Sequence, residues 1–485
     1  MNINFISRIP PRYWGYLSLL AWAFITLFLL RHDPYDLNEG AAKALLLAWS
    51  VADQVASSAV HFGAPDLRIL LYAPVAFLWT GNIFAAKVFT ALLLALAAWL
   101  LYSWRQQNAD AESALIGTGL LIISPLTLTQ IDGLSPGVYL LSAFVLGHWL
   151  DKTYRAAPHP FGGWYFAQLF IAAFSVSLHP AGLAYPLALL WSWHKTPIDR
   201  KQQKYFFIGI SFVVLATLII RMGWNDLEWL QNPINNLATI ALGAMPNNEM
   251  TAIRWIAGIV ILLTLATVIF KQYRSLWTDF TGRTLLIGLA LGIITSDPAW
   301  AMIALGIILY FGLPLLLNAT QSSTGGFIHQ RGIAMLLIII FSTLFMRADR
   351  AHYEARQHDI LSDQDQLIKA LSDEAENVRK AAEENEGMDN TIRLRVASQW
   401  PSRTMIACRC DTFPLPPAAK DSQAQLAMLH GFTHLMFNPQ RPANILLARN
   451  LAVLGGDRTE TIALQPGGVL LYFKKPGPDV AGSGK

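Results

Sequence analysis

Long apolar stretches separated by short polar clusters occupy the first 346 positions of the chain. A helix needs about 20 mostly apolar residues to cross a bilayer. The pattern therefore predicts a polytopic α-helical membrane protein with about 11 spans. The predicted spans are Trp14–Leu30, Ile83–Trp104, Ala114–Gln130, Gly137–Leu150, Trp164–Leu178, Ala181–Trp193, Tyr205–Ile220, Ile253–Phe270, Thr284–Thr295, Trp300–Leu317 and Ile333–Phe345.

The pattern changes near Arg347. From His352 to about Glu386 the chain is rich in charged residues, and its apolar positions recur at helical spacing, which predicts a surface helix. Short alternating runs with Pro- and Gly-containing turns follow, so residues 347–485 are predicted to form a small C-terminal α/β domain with a disordered tail. The predicted strands are Thr391–Ala397, Met405–Ala407, His434–Phe437, Leu451–Leu454 and Val469–Phe473.

Composition supports a membrane protein and excludes one class of partner. Of the 485 residues 54% are hydrophobic and 14% charged, whereas soluble domains carry about a quarter charged residues. The formal net charge is only +4 and no long basic run occurs, so no nucleic-acid partner is predicted. If the N-terminus is cytoplasmic, the loops on that side hold more Lys and Arg than the opposite loops, as the positive-inside rule expects. This orientation places the C-terminal domain outside the cytoplasm.

Cys408 and Cys410 are the only cysteines, and they lie in the C-terminal domain. Their spacing matches no recognisable metal site. Two interpretations stay open: a small disulfide formed in an oxidising compartment, or two half-buried strand cysteines.

The first external loop, residues 31–82, gathers carboxylates beside the membrane boundary, and its amphipathic stretches suit the membrane surface. A catalyst that deprotonates an acceptor while a lipid-borne donor approaches from the bilayer needs carboxylates there. Asp36 and Glu39 also fit a capping box, with Asp36 as N-cap and Glu39 reaching back, and Glu39 and Lys43 have the spacing of a helical ion pair. The structural and the catalytic interpretation can both hold.

Several stretches resemble the GT-C glycosyltransferases, which use polyprenyl-phosphate-linked sugars and include aminoarabinose transferases and protein mannosyltransferases. The first-loop stretch 38–42 (NEGAA), the stretch 79–82 (WTGN) and the stretch 85–88 (AAKV) resemble the beginning of that family. Residues 124–136 and 175–186 are similar to its third to sixth spans. The resemblance implies a transmembrane domain over 1–346 with the large loop 31–82, and a periplasmic domain over 347–485, in a bacterial inner membrane.

The resemblance also implies roles for particular residues. The family usually carries an Asp-Glu pair at the positions of Asn38 and Glu39, and its Asp is taken as the catalytic base. An amide cannot accept a proton at neutral pH, so the base is predicted to be Glu39 or Asp36. The predicted substrate-binding residues are Asp33, Asp66, Arg68, His179, Arg221 and Arg347, with Arg254 and Arg350 as further candidate phosphate ligands.

No metal is predicted, although a divalent ion would suit a diphosphate donor. The chain has no HxxH motif and no Cys/His cluster, and its one DxD motif, Asp363-Gln364-Asp365, lies in the charged helix, where a solvated face is expected. Asp132 and Asp297 lie in short external turns and are typical of turn or cap positions.

The leading hypothesis is a membrane glycosyltransferase that moves a sugar from a polyprenyl-phosphate-linked donor to a lipid, glycan or protein acceptor at the periplasmic face. The alternative is a non-catalytic GT-C-like scaffold or partner subunit that acts through its periplasmic domain, with Asn38 marking lost activity. A transporter ranks last, because few charges lie within the predicted spans.

Overall fold

The computed structural model divides the chain into two compact units. The helical unit comprises Met1–His32, Asp66–Arg68 and Asn82–His358, and the α/β unit comprises Asp33–Pro65, Ile69–Gly81 and Asp359–Lys485. Most of the first loop therefore belongs to the same unit as the C-terminal segment. The structure describes residues 30–52, 67–108, 111–156, 162–194, 200–221, 251–295, 299–314, 339–340, 342–343, 345–347, 350, 353–354, 361–384, 394–454 and 458–474.

Apolar helices that follow the first loop build the helical unit. In chain order the helices are α1 (Glu39–Ala52) and α2 (Arg68–Leu78) of the first loop, then α3 (Ile83–Asn108), α4 (Ala111–Ile122), α5 (Pro125–Asp132), α6 (Pro136–Ala156), α7 (Gly163–Leu178), α8 (Ala184–His194), α9 (Arg200–Arg221), α10 (Thr251–Thr278), α11 (Phe280–Thr295) and α12 (Ala299–Ile307), the last continuing as a π-helical turn over Ile308–Gly312. The first-loop helices α1 and α2 belong to the α/β unit, apart from Arg68 at the start of α2, and the helices from α3 to α12 form the helical unit. Helix α6 packs against α3, α7 and α12, and α11 packs against α8, α10 and α12.

Two helix breaks in this unit follow from proline. Pro125 begins α5, and the preceding Ser124 is extended, so the stretch predicted as one span from Ala114 to Gln130 is bent by 48°. Between α7 and α8, Pro180 opens a 3₁₀ turn that ends at Leu183. This turn passes so close to α7 that a Cβ on Gly182 would lie 1.8 Å from the Ser175 carbonyl oxygen.

The predicted number of spans stays a prediction. Among the described helices, the stretch Ile83–Trp104 is long and apolar enough to cross a membrane, and the bent pair α4–α5 adds a second crossing if it is one span. The predicted span Trp14–Leu30 lies outside the described residues, apart from Leu30, as does most of Ile333–Phe345. Shorter apolar helices are Arg68–Leu78, Gly163–Leu178, Lys204–Thr217, Phe280–Ile293 and Ala301–Gly312.

A five-stranded sheet between helices forms the C-terminal part of the α/β unit. Its strand order is β2-β1-β3-β5-β4, with β1, β2 and β3 parallel and β4 and β5 antiparallel to their neighbours. The elements are α13 (Asp363–Glu384), β1 (Arg395–Ser398), α14 (Pro401–Cys408), β2 (Asp411–Pro414), α15 (Ser422–Leu429), β3 (His434–Phe437), α16 (Ile445–Leu454), β4 (Thr459–Gln465) and β5 (Gly468–Phe473).

Alternating side chains of the strands feed two hydrophobic clusters, one on each face of the sheet. Val396, Met436 and Leu470 pack with the apolar stripe of α13, and the strand residues next to them pack with α15 and α16. The domain is therefore a three-layer α/β structure, as predicted from the alternating runs.

Two predicted strands of this domain are wrong. The runs Met405–Ala407 and Leu451–Leu454 are helical, in α14 and α16, because apolar runs of three or four residues do not distinguish a strand from a buried helix segment. Of the two interpretations left open for Cys408 and Cys410, the structure shows the disulfide, and Cys408 ends the helix α14. The strand β4 was not predicted.

Candidate functional site

A buried ion pair lies in the helical unit. The Lys87 ammonium is 3.5 Å from the Asp132 carboxylate, with both side chains at most 1% exposed. The backbone N–H of Arg31 donates to the same carboxylate oxygen at 2.9 Å. Charged groups inside a membrane protein are costly unless paired, so they mark candidate functional sites. Lys87 was not among the residues predicted for the site, and the signal that could have identified it is a charged residue inside the apolar helix α3.

Arg68 contacts the turn that follows Asp132. Its guanidinium donates to the Leu134 carbonyl oxygen at 2.7 Å, and its Cζ lies 5.9 Å from the ring centre of Tyr139. The Arg68 side chain is 2% exposed. We call residues 132–135, between α5 and α6, the α5–α6 corner. Arg68 and Lys87 thus bring two cations to this corner, and a guanidinium with an ammonium suits a phosphate.

Asn38, not Asp36, caps the first-loop helix α1. The Asn38 side-chain oxygen accepts from the N–H groups of Gly40 and Ala41, at 3.0 and 3.4 Å. The predicted capping box is therefore wrong, because Glu39 is the first residue of α1 instead of its third.

The Glu39 carboxylate caps a different helix. Its oxygens accept from the backbone N–H groups of Ser402 and Arg403, at 2.7 and 3.2 Å. These amides belong to the first turn of α14, which begins at Pro401, so they have no carbonyl partner within their own helix. Burial raises the pKa of Glu39 above its ordinary value, and the hydrogen bonds from Ser402 and Arg403 oppose part of that rise.

The segment just before α1 places two further carboxylates. Asp36 has a φ of 65°, in the left-handed region, and its N–H donates to the Asp365 carboxylate at 3.3 Å. Asp33 accepts from the N–H of Tyr35 at 3.2 Å, which closes a local turn. A non-glycine residue at positive φ is uncommon, and such conformations cluster at functional sites.

Asp365 corrects the prediction of a solvated DxD motif. It is 1% exposed, it forms an ion pair with Arg403, and its carboxylate accepts from the Ser362 hydroxyl at 2.6 Å. The same Arg403 donates to the side-chain oxygen of Gln364 at 3.3 Å. The helical spacing could have predicted this burial, because Asp365 lies three positions before the buried Ile368, on the apolar stripe of α13.

The remaining predicted substrate residues are scattered. His179 caps the 3₁₀ turn at Pro180, where its Nδ1 accepts from the Ala181 N–H at 3.1 Å. Arg347 is exposed. Asp66 lies outside the described residues, and Arg221 lies in α9 with a side chain that is not described.

Other candidates named from the sequence add little to the site. Arg350 pairs with Glu354 at 2.7 Å, and both side chains are largely exposed. Asp297 lies outside the described residues. Within the described part of the chain no three His, Cys, Asp or Glu side chains are grouped as metal ligands. The absence of a metal stays a prediction.

Comparisons with known proteins identify the fold. No protein-family model and no curated protein sequence matches the chain. The archaeal oligosaccharyltransferase AglB from Archaeoglobus fulgidus, in complex with an inhibitory peptide and a dolichol-phosphate, matches with a TM-score of 0.53 and 12% identity over 93% of this chain and 73% of that one. ArnT from Cupriavidus metallidurans in the apo state matches with a TM-score of 0.53 and 11% identity, over 94% of this chain and 97% of that one.

A second structure of ArnT, bound to undecaprenyl phosphate, matches with a TM-score of 0.52 over the same shares of both chains. Identities this low show the fold alone. The predicted resemblance is therefore confirmed at the level of the fold, and this chain has the fold of the GT-C glycosyltransferases.

Proposed function

We propose that this protein is an integral membrane glycosyltransferase that moves a sugar from a polyprenyl-phosphate-linked donor to an acceptor at the periplasmic face of a bacterial inner membrane. The GT-C fold supports the class of enzyme, and the dolichol-phosphate and undecaprenyl phosphate held by AglB and ArnT support the class of donor. The observation that carries the proposal is the pair of cations, Arg68 and Lys87, at the α5–α6 corner.

The proposed reaction is a single displacement at the anomeric carbon. The acceptor oxygen or nitrogen forms the new bond as the bond between the sugar and the phosphate oxygen breaks, and the configuration inverts. The electron pair of the broken bond leaves with the polyprenyl phosphate, so negative charge develops on that phosphate. Arg68 and Lys87 stabilise this charge in a site of low dielectric constant.

The acceptor proton passes to a first-loop carboxylate. Both Asp36 and Glu39 are candidates, and we assign the base to Asp36. The two oxygens of Glu39 already accept backbone N–H groups of α14, and Asp36 has the left-handed backbone conformation that clusters at functional sites. Asp33 and Asp66 are proposed to contact the sugar or the acceptor.

One observation favours the alternative of a non-catalytic scaffold. Asn38 stands where the family usually carries its catalytic Asp, and here it caps α1. The capping role alone accounts for Asn38, without any part in catalysis. The scaffold would act through its α/β domain.

Sugar transfer measured in membranes at matched expression distinguishes these functions. From a labelled polyprenyl-phosphate sugar, we expect Asp36→Asn to lower kcat by about 100-fold or more, the usual contribution of a general base. Arg68→Met should raise KM as well, because it removes a phosphate ligand. Asp373→Asn, an exposed carboxylate on α13, is the matched control.

A wild-type rate in Asp36→Asn would remove Asp36 as the base. If Glu39→Gln alone then abolished transfer in a folded protein, the base would be Glu39. A wild-type protein that transfers no sugar from any lipid-linked donor would favour the scaffold.

A further inference from the structure

The carboxyl end of β1 is the place where a domain of this topology ordinarily holds a ligand. Strand β1 lies between β2 and β3, and the connections through α14 and α15 pack on opposite faces of the sheet. Ligands of open α/β sheets bind outside the carboxyl ends of the strands at such a switch point, and anions bind at the N-terminus of the helix that follows.

Here the chain itself fills that place. After β1 ends at Ser398, the chain turns into α14, and the N–H groups at the start of this helix donate to the carboxylate of Glu39. Helix α1, which carries Glu39, packs against α14. The anion that the α/β domain binds is thus a side chain of the first loop.

A second, buried contact joins the same two segments. Arg403 pairs with Asp365, and Asp365 accepts the backbone N–H of Asp36. Arg403 is 8% exposed and Asp365 1% exposed, so water screens this pair weakly. Leu37, between Asp36 and Glu39, is 2% exposed.

We propose that Glu39, Arg403 and Asp365 form a latch through which the α/β domain holds the first loop and fixes the backbone of Asp36. The inference rests on the proposed function in one respect: a fixed backbone at Asp36 matters for the reaction only if Asp36 is the catalytic base. Glu39, Arg403 and Asp365 are then positioning residues. The α/β domain takes part in catalysis by ordering the loop.

Amide hydrogen exchange tests the latch without any substrate. In the full-length protein, Arg403→Met removes the partner of Asp365 and leaves the α14 amides in place, so we expect exchange of residues 35–41 to rise at least tenfold while that of β1 and β3 is unchanged. Glu39→Gln should raise exchange in residues 35–41 and 402–403 together. Lys380→Met, which breaks the exposed pair between Lys380 and Glu376 on α13, is the control and should change neither segment.

Kinetics then separate positioning from catalysis. We expect Arg403→Met to lower kcat roughly 10- to 100-fold with little change in KM, since a displaced base costs rate and not binding. Wild-type exchange of residues 35–41 in both Arg403→Met and Asp365→Asn, with the sheet still protected, would overturn the latch. Faster exchange in these variants supports the latch even if the wild type transfers no sugar, and in that case the proposed function alone fails.

Discussion

Buried charges pair with opposite charges at the positions that matter most in this protein. Lys87 meets Asp132 in the helical unit, and Arg403 meets Asp365 in the α/β unit. From the sequence, Asp132 was predicted to lie in a turn and Asp365 on a solvated helix face, and neither Lys87 nor Arg403 was a candidate residue, because a single charged residue does not reveal its partner. A partner distant in sequence becomes visible only when the chain is folded.

Mutations of Lys87 and Asp132 are expected to have non-additive effects on the free energy of unfolding. Lys87→Met removes the cation from a buried ion pair and should destabilise the protein by about 3–5 kcal/mol. The double variant Lys87→Met/Asp132→Asn should recover most of that loss, because no uncompensated charge remains. Thermal unfolding in detergent measures the difference, and a double variant as unstable as the sum of the two singles would contradict the account.

The stability of the α/β unit is expected to depend on pH through His434. It lies on β3, fully buried, and burial lowers its pKa below the ordinary value while the carboxylate of Glu374, 3.1 Å away, opposes part of that shift. A group with a lowered pKa in the folded state binds fewer protons there than in the unfolded chain. Its contribution to stability is therefore present above the unfolded pKa and is lost as the pH falls through the folded one.

We expect the stability difference between wild type and His434→Gln to shrink as the pH falls from about 7.5 to below the ordinary histidine pKa near 6.5. The unfolding midpoints of both proteins, determined over this pH range, measure the stability difference. A difference that grows on acidification would show that the charged imidazolium is the favoured form.

At the scale of elements, predictions succeeded where the apolar pattern was long or cleanly alternating. The helix Ile83–Trp104 and the strands β3 and β5 follow from periodicity alone. Short apolar runs failed, since three or four residues fit a helix face as well as a strand. The register of the sheet and its mixed strand directions depend on packing that sequence pattern does not encode.

Helix α13 offers a test of the three-layer packing. Leu371 is fully buried against the sheet, and Leu371→Ala should destabilise the α/β unit by about 2–5 kcal/mol through lost contacts and a cavity. Asn377→Ala, on the exposed face of α13, should stay within about 0.5 kcal/mol of wild type. Hydrogen exchange of the β3 and β5 amides measures the local stability of both variants. Equal increases in exchange for Leu371→Ala and Asn377→Ala would contradict the packing.

For the molecule as a whole, the first-loop resemblance anticipated the fold that the structural comparisons show. It did not anticipate that most of the loop belongs to the same compact unit as the C-terminal segment. The contacts of Glu39 join residues more than 360 positions apart, between segments that carry no shared motif. Such pairings are set by tertiary packing, so the latch could not be predicted from spacing.

The disulfide between Cys408 and Cys410 gives a test of the proposed compartment. Disulfides persist in the periplasm and are reduced in the cytoplasm. In unfolded protein prepared from acid-quenched cells, we expect neither cysteine to react with a maleimide until a reductant is added. Labelling without reductant would place the α/β domain in a reducing compartment.

The most direct test of the central claim compares donors. Purified wild-type protein in liposomes would be given the same radiolabelled sugar attached either to a polyprenyl phosphate or to a nucleoside diphosphate. Asp36→Asn is the matched variant. The account predicts that wild type releases polyprenyl phosphate and transfers label from the lipid-linked donor, that the nucleotide donor is inert, and that Asp36→Asn lowers the lipid-linked rate. Turnover of the nucleotide-linked sugar, or none of any lipid-linked one, would contradict it.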